Sequence, residues 1–178
     1  MSIAEGLASI QNEIPSNVTL VAVSKTKPVE AIQEAYALGL RDFGENRAVE
    51  LVEKVKALPD DIRWHAIGHL QRNKASLVAP ISSLIHSVDS IRLYDALSKH
   101  AGEKLDVLIQ IHIADEQNKH GFYPDDLKKI LDSGDNLLSP NMNIKGLMGM
   151  ATFTDNHAQI TTEFKALRTL FDEISPSM

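Results

Sequence analysis

The sequence predicts an α/β fold in which a parallel sheet is covered by helices. Six strand–helix units follow one another without interruption along the 178 residues. The strands are short continuous apolar runs, which is typical of parallel strands that are buried on both faces. A chain of this length suffices for one hydrophobic core and is short for two. The residues alone leave two architectures open, a (β/α) barrel and an open doubly wound sheet.

The first unit is preceded by an N-terminal helix over residues 1–15. Apolar residues recur there at helical spacing until Pro15 ends the pattern. The segment TLVAVSK, residues 19–25, is a β-branched apolar run and predicts the first strand. Pro28 then begins a helix that ends at Gly39.

Five further units occupy the chain up to residue 174. The predicted strands lie in the segments RDFGEN, RWHAIGHL, LIHSVDS, LDVLIQIHI and NIKGLMGM. Apolar residues at helical spacing follow them, for example over 48–58, 91–100, 124–131 and 160–174. We therefore predict a single domain over 1–178, with the six β/α units spanning 19–174.

The composition argues against several classes of function. The net charge of −6 does not suit a protein that binds nucleic-acid phosphates. There is no cysteine, which excludes disulfides and thiolate chemistry and fits a reducing compartment. The N-terminus carries Glu5 and Glu13 and no long apolar stretch, so we expect neither a signal peptide nor a membrane anchor. A cytoplasmic protein without nucleic-acid or membrane partners is expected.

Polar and functional side chains concentrate where the predicted strands end. In parallel α/β folds the carboxyl ends of the strands form the face on which sites are built. The residues at these ends are Ser24, Lys25, Glu45, Asn46, His69, Asp89, Ser90, Met148 and Met150.

Lys25 is the most suggestive of these residues. It shares strand parity with Val21 and Val23, so we expect its side chain on the same buried face. Burial disfavours an ammonium ion, and the neutral amine is nucleophilic towards aldehydes, as Schiff-base chemistry requires. A lysine that merely ends a strand and extends into water is the alternative, and position alone leaves it open.

Six motifs in order carry a resemblance to a known family. They are VAVSKTKP, FGENR, WHAIGHLQRNK, HSVDS, the E-x-x-K-x-G of Glu116, Lys119 and Gly121, and IKGLMGM. Between residues 21 and about 150 the chain resembles the pyridoxal phosphate homeostasis proteins, single-domain relatives of the alanine racemase N-terminal barrel domain. The resemblance implies a TIM-type (β/α) barrel that binds pyridoxal 5′-phosphate as a Schiff base on Lys25. It also implies that Asn46, His65 and Met148 lie near the cofactor ring.

The sequence departs from this family's pattern in two places. His112 stands where the fifth strand of such proteins often ends in Asn. The C-terminal strands that hold the cofactor phosphate in the family do not follow the last helix, so we expect a barrel without its last strands and a poorly held phosphate.

The function implied by the resemblance is pyridoxal phosphate homeostasis without turnover by the protein itself. An alanine-type racemase is the alternative, and it needs a second base besides Lys25. Tyr36, Tyr94 and Tyr123 are the candidates, and the first two are predicted on outer helices. A carrier that docks on apo-enzymes is a further alternative.

Other kinds of site find little support. His65 and His69 form an i,i+4 pair, but they fall on a predicted strand and its exit loop, and no carboxylate lies between them as in H-E-x-x-H. We therefore expect no metal site, at this pair or elsewhere in the chain. No P-loop, G-x-S-x-G or G-x-G-x-x-G motif is present.

Overall fold

A computed structural model describes residues 2–115, 120–133, 137 and 139–177. Strands and helices alternate in the predicted order. The strands are β1 (Ala22–Val23), β2 (Asp42–Glu45), β3 (Arg63–Ala66), β4 (Leu84–Val88), β5 (Leu105–Ile111) and β6 (Met142–Gly149). The helices are α1 (Ile3–Glu13), α2 (Val29–Ala37), α3 (Ala48–Ala57), α4 (Ala75–Val78), α5 (Ile91–Ser98), α6 (Pro124–Ser133) and α7 (His157–Ile174).

The order of the strands distinguishes between the two architectures that the residues left open. Each strand pairs in parallel with the next one along the chain, in the order β1-β2-β3-β4-β5-β6. A doubly wound sheet reverses its strand order at a switch point, whereas a (β/α) barrel keeps chain order throughout. The barrel prediction is confirmed. Within the described residues β1 and β6 are the edges of the sheet.

The two faces of the sheet have different roles. A row in register along the outer face includes Ala66, Ile85 and Val107, which belong to the hydrophobic core beneath the helices. The inner face has its own row, with adjacent members paired from strand to strand. That row consists of Val23, Gly44, His65, Leu84, Asp106 and Asn143.

The expected burial of the first strand's inner side is wrong. Val23 is 53% exposed and Lys25 is exposed as well. The strand is also shorter than the predicted 19–25, since only Ala22 and Val23 pair with β2. The physical reason is that β1 is an edge strand, so no neighbour on its far side covers these side chains in the described part of the chain.

Local sequence explains where the first and last helices begin. Ser2 and Glu5 form a capping box at α1, because the Glu5 N–H donates to the Ser2 hydroxyl and the Ser2 N–H donates to the Glu5 carboxylate. Asn156 caps α7 by accepting hydrogen bonds from two backbone N–H groups. Among the described helices, none has the length and apolarity to cross a bilayer.

Candidate functional site

The loops after the strands converge at one end of the barrel, which we call the mouth. Gly68 follows β3, and a Cβ atom there would lie 2.5 Å from the backbone oxygen of Asn46, which follows β2. Gly121, at φ +135°, packs so closely on the end of β5 that a Cβ atom would lie 2.6 Å from the His112 nitrogen. Both positions exclude a side chain, so these glycines allow adjacent exit loops to approach one another.

Lys25 lies in a tight turn directly after β1. The turn is closed by a hydrogen bond from the Lys27 N–H to the Ser24 carbonyl, at 3.0 Å. Thr26 has φ +62°, a left-handed conformation that a β-branched residue adopts only when its surroundings hold it there. The Lys25 side chain is exposed, and among the described residues it has no hydrogen-bond or ion-pair partner. A free primary amine therefore stands on a constrained turn.

Helix α3 holds this turn on both sides of Lys25. The Lys54 ammonium donates to the Ser24 carbonyl at 2.8 Å and to Glu45 Oε1 at 2.5 Å. The Ser24 hydroxyl donates to the same carboxylate oxygen at 2.7 Å. On the other side, the Thr26 N–H donates to Glu50 Oε2 at 3.3 Å. The residues before and after Lys25 are thus fixed to one rigid helix.

Lys54, Glu45 and Glu50 form the anchor of the Lys25 turn, and the charged groups of the first two are largely removed from water. Lys54 is 6% exposed and Glu45 is 1% exposed. Burial raises the pKa of Glu45, while hydrogen bonds from Lys54 and Ser24 act in the opposite direction. The backbone N–H of Thr26 is the main cause of the lowered pKa of Glu50. The buried Lys54–Glu45 pair balances its own charge, so neither partner can be lost without leaving an isolated buried ion.

Sequence reasoning missed Lys54 and Glu50. An acid four residues before a lysine usually indicates a solvated helical pair. The signal that could have identified Lys54 is its place in the apolar stripe of α3, between Leu51 and Leu58. A lysine within such a stripe must find a buried partner, which is Glu45 at the end of β2.

The structure places the predicted site residues at different depths. Asn46 is exposed at the mouth, directly after β2. Met148 is half-buried on β6 and pairs in register with Gln110 of β5. His65 is deeper, in the row of Val23, two positions before the level of Lys25. The roles of Lys25, Asn46, His65 and Met148 towards a cofactor stay predictions. Glu116 and Lys119 of the fifth motif lie outside the described residues.

Both ring nitrogens of His65 are engaged by the protein. Nε2 lies 3.1 Å from Asp42 Oδ1, and Nδ1 lies 2.9 Å from His86 Nε2. Asp42 also accepts hydrogen bonds from Arg63, whose guanidinium is the largest cause that lowers the pKa of this carboxyl against the effect of burial. His65 is therefore a fixed part of the inner wall.

Stability should fall with acidity because of His86. Burial, together with the nearby His65, lowers the pKa of His86 from 6.5 to about 4. As pH falls from 6.5 towards 4, His86 takes up a proton in the unfolded chain but not in the folded chain. The free energy of unfolding therefore decreases. Allowing for partial exposure, we expect a loss of about 2 kcal/mol between pH 6.5 and 4 in urea unfolding.

A matched pair of variants tests this origin. His86→Asn should flatten the pH profile, whereas His100→Asn, at an exposed histidine, should keep it. The lowered pKa of Asp42 affects the free energy of unfolding at lower pH than His86 does. Its contribution to stability is present above pH 3.8 and is lost as pH falls below that value. Parallel profiles for the wild type and His86→Asn would rule out His86 as the cause.

Two of the three tyrosines lie on outer helices, and the third, Tyr123, lies between β5 and α6. Tyr36 on α2 donates to Asp61, and the Tyr94 hydroxyl on α5 accepts from the Ser139 N–H. Tyr123 is 55% exposed, and its ring packs against His112 with 5.0 Å between ring centroids.

His65 and His69 have different partners and do not form one site. His69 contacts Asp89 at the mouth, while His65 faces Asp42 and His86.

Sequence comparison finds relatives along the whole chain. A profile of the family described as "Alanine racemase, N-terminal domain" matches residues 2–177. The pyridoxal phosphate homeostasis protein of Pasteurella multocida is 37% identical over 196 residues, which cover 100% of this chain and 82% of that protein. The protein of the same name from Aquifex aeolicus is 38% identical over 159 residues, which cover 87% of this chain and 69% of that protein.

Comparison with solved structures also finds relatives that cover nearly the whole chain. PipY of Synechococcus elongatus, solved without PLP, superposes with a TM-score of 0.90 at 37% identity, over 99% of this chain and 85% of that one. The same protein with PLP bound superposes with a TM-score of 0.87 at 36% identity, again over 99% and 85%. An alanine racemase of Clostridium difficile is 15% identical with a TM-score of 0.73, covers 97% of this chain and 47% of that one, and shows the shared fold alone.

Proposed function

Because the chain belongs to the pyridoxal phosphate homeostasis protein family, within the wider family of the alanine racemase N-terminal domain, we propose that it binds pyridoxal 5′-phosphate and serves intracellular homeostasis of this cofactor. The observation that carries the proposal is the free amine of Lys25 on a turn that α3 fixes from both sides. The PLP-bound PipY structure supports it as well.

The residues at the mouth fit such a cofactor. Pyridoxal phosphate supplies an aldehyde, which condenses with a primary amine and releases water. Lys25 offers this amine, and no described side chain competes for it. Val23 and Met148 offer apolar surface for an aromatic ring, and the exposed amide of Asn46 offers a donor and an acceptor. His65 would contribute a wall whose ring is already oriented by Asp42 and His86.

We further propose binding without turnover by a single domain of six β/α units. A racemase needs two bases on opposite sides of the substrate carbon. The only tyrosine near the mouth in the described chain is Tyr123, whose ring packs on His112. A cytoplasmic location is proposed from the absence of cysteine, and delivery of the cofactor to apo-enzymes is proposed from the homeostasis role.

Spectroscopy and chemical trapping test the proposal. The purified, tag-free chain is incubated with pyridoxal phosphate, its visible absorbance is recorded, and borohydride is added before peptide mass spectrometry. We expect visible absorbance that borohydride removes and a stable adduct on the peptide that contains Lys25. Adducts spread evenly over the exposed lysines would contradict a specific site.

A second measurement separates binding from racemisation. The loaded protein is incubated with L-alanine in deuterated water, and deuterium at Cα is followed by NMR. We expect exchange no faster than with free pyridoxal phosphate. Rapid exchange together with formation of D-alanine would show that the protein is a racemase and would overturn the proposal of binding without turnover.

A further inference from the structure

Three side chains able to ligate a metal ion meet at the mouth, on loops other than the turn of Lys25. His69 follows β3, Asp89 follows β4, and His120 lies between β5 and α6. Because β3, β4 and β5 are neighbours in the sheet, their exit loops are adjacent. The sequence separates these residues widely, so the grouping is visible only in three dimensions.

The distances between the three groups suit a shared ion. His69 Nδ1 lies 3.0 Å from Asp89 Oδ2, and His120 Nδ1 lies 3.7 Å from the same oxygen. One possible ligand atom from each residue lies within 4.8 Å of the other two. Zinc bonds to nitrogen and oxygen are about 2.1 Å long, so two ligands of one ion are at most about 4.2 Å apart. Both histidine rings are exposed and can rotate to bring the atoms into that range.

Asp89 is held in place for this role. Its side chain is 10% exposed, and its other oxygen, Oδ1, accepts a hydrogen bond from the Ser90 hydroxyl at 3.2 Å. It forms no ion pair with a lysine or arginine of the described chain. The hydrogen bond from Ser90 orients this carboxylate, as the outer groups of metal sites orient their ligands.

The two histidine rings lie face to face beside Asp89. They stack with 3.7 Å between centroids and 11° between planes, so the ring planes must turn before both nitrogens can point at one ion. The backbone of His120 is fixed as well, because its carbonyl accepts a hydrogen bond from the Gln110 side chain at 3.0 Å.

We propose that His69, Asp89 and His120 form a binding site for a divalent transition metal of the zinc type. Two nitrogen ligands and one carboxylate oxygen suit Zn²⁺ or Co²⁺, while Mg²⁺ and Ca²⁺ prefer sites built from oxygen. Three protein ligands leave a fourth position for water or an anionic group. The site uses none of the residues proposed to hold the cofactor.

Metal titration without pyridoxal phosphate tests the site. Tag-free protein is titrated with Zn²⁺ in a calorimeter and with Co²⁺ in a spectrophotometer, where ligand-field bands report nitrogen ligands. We expect one ion per chain, and we expect His69→Ala and His120→Ala each to weaken Zn²⁺ binding by at least about 10-fold. His100→Ala, at an exposed histidine on another surface, should bind as the wild type does.

Further variants keep the outcome decisive. Zn²⁺ should raise the unfolding temperature of the wild type and of Lys25→Ala equally, and should leave that of the double variant His69→Ala/His120→Ala unchanged. Unaltered Zn²⁺ affinity in the double variant would overturn the proposal. So would binding of Mg²⁺ as tight as that of Zn²⁺, or no Zn²⁺ binding at millimolar concentration. Because no cofactor is present, failure here is distinct from failure of the Lys25 proposal.

Discussion

Lys25→Ala is expected to abolish the borohydride-trapped adduct and to weaken pyridoxal phosphate binding at least about 100-fold, or about 2.8 kcal/mol. The reason is that Lys25 is the residue between the two anchored positions, since Lys54 holds the Ser24 carbonyl and Glu50 holds the Thr26 N–H. The measurement is visible absorbance during cofactor titration, followed by reduction and peptide mapping.

Lys27→Ala is the matched control for this result. Lys27 is also exposed and belongs to the same turn, but its contribution to the turn is its backbone N–H, which alanine retains. We expect this variant to keep both the absorbance and the adduct. If Lys25→Ala were trapped as fully as the wild type, or if both variants lost binding equally, Lys25 would not be the attachment point.

Lys54→Met is expected to destabilise the folded chain by about 3 to 5 kcal/mol, because it leaves the Glu45 carboxylate buried without its counter-ion. The affected oxygen also accepts from Ser24, so the turn of Lys25 loses its anchor at the same time. Urea unfolding at neutral pH measures the loss, and cofactor titration of the folded fraction measures the effect on the turn.

Two comparisons separate charge from packing at this position. The double variant Glu45→Gln/Lys54→Met removes both charges and should recover a substantial part of the loss. Lys56→Met, at an exposed lysine of the same helix, should change the free energy of unfolding by less than about 0.5 kcal/mol. A Lys54→Met variant as stable as Lys56→Met would show that the buried pair contributes little.

Periodicity and motif order together predicted the architecture correctly. The apolar runs identified all six strands, and the family resemblance selected the barrel over the doubly wound sheet. The strand order observed here confirms that choice. The family is confirmed as well, by relatives that are 37% and 38% identical.

Parity arguments were less successful at the edge of the sheet. Strand parity predicts which face a side chain occupies, but burial depends on which neighbour covers that face. Val23 and Lys25 are exposed because β1 has one neighbour in the described sheet. The anchor on α3 was missed for a related reason, since a lysine and an acid four residues apart have the same spacing in a solvated pair and in a buried network.

The groups at the mouth were the hardest to foresee. His69, Asp89 and His120 belong to three different loops, so their contact depends on the register of three strands and the path of each loop. The inner network of Asp42, His65 and His86 likewise joins three consecutive strands. Spacing along the chain carries information about neighbours on one element and little about neighbours across a sheet.

The consecutive strand order has a consequence for how the chain folds. Ala22 pairs with Phe43, so joining β1 to β2 closes a loop of roughly 20 residues, and the next three pairings are similar. Leu105 pairs with Met142, so joining β5 to β6 closes a loop nearly twice as long, at an extra entropic cost of about 0.5 kcal/mol. The pairings from β1 to β5 can therefore form at similar entropic cost, and the pairing of β6 with β5 is the most costly of the five.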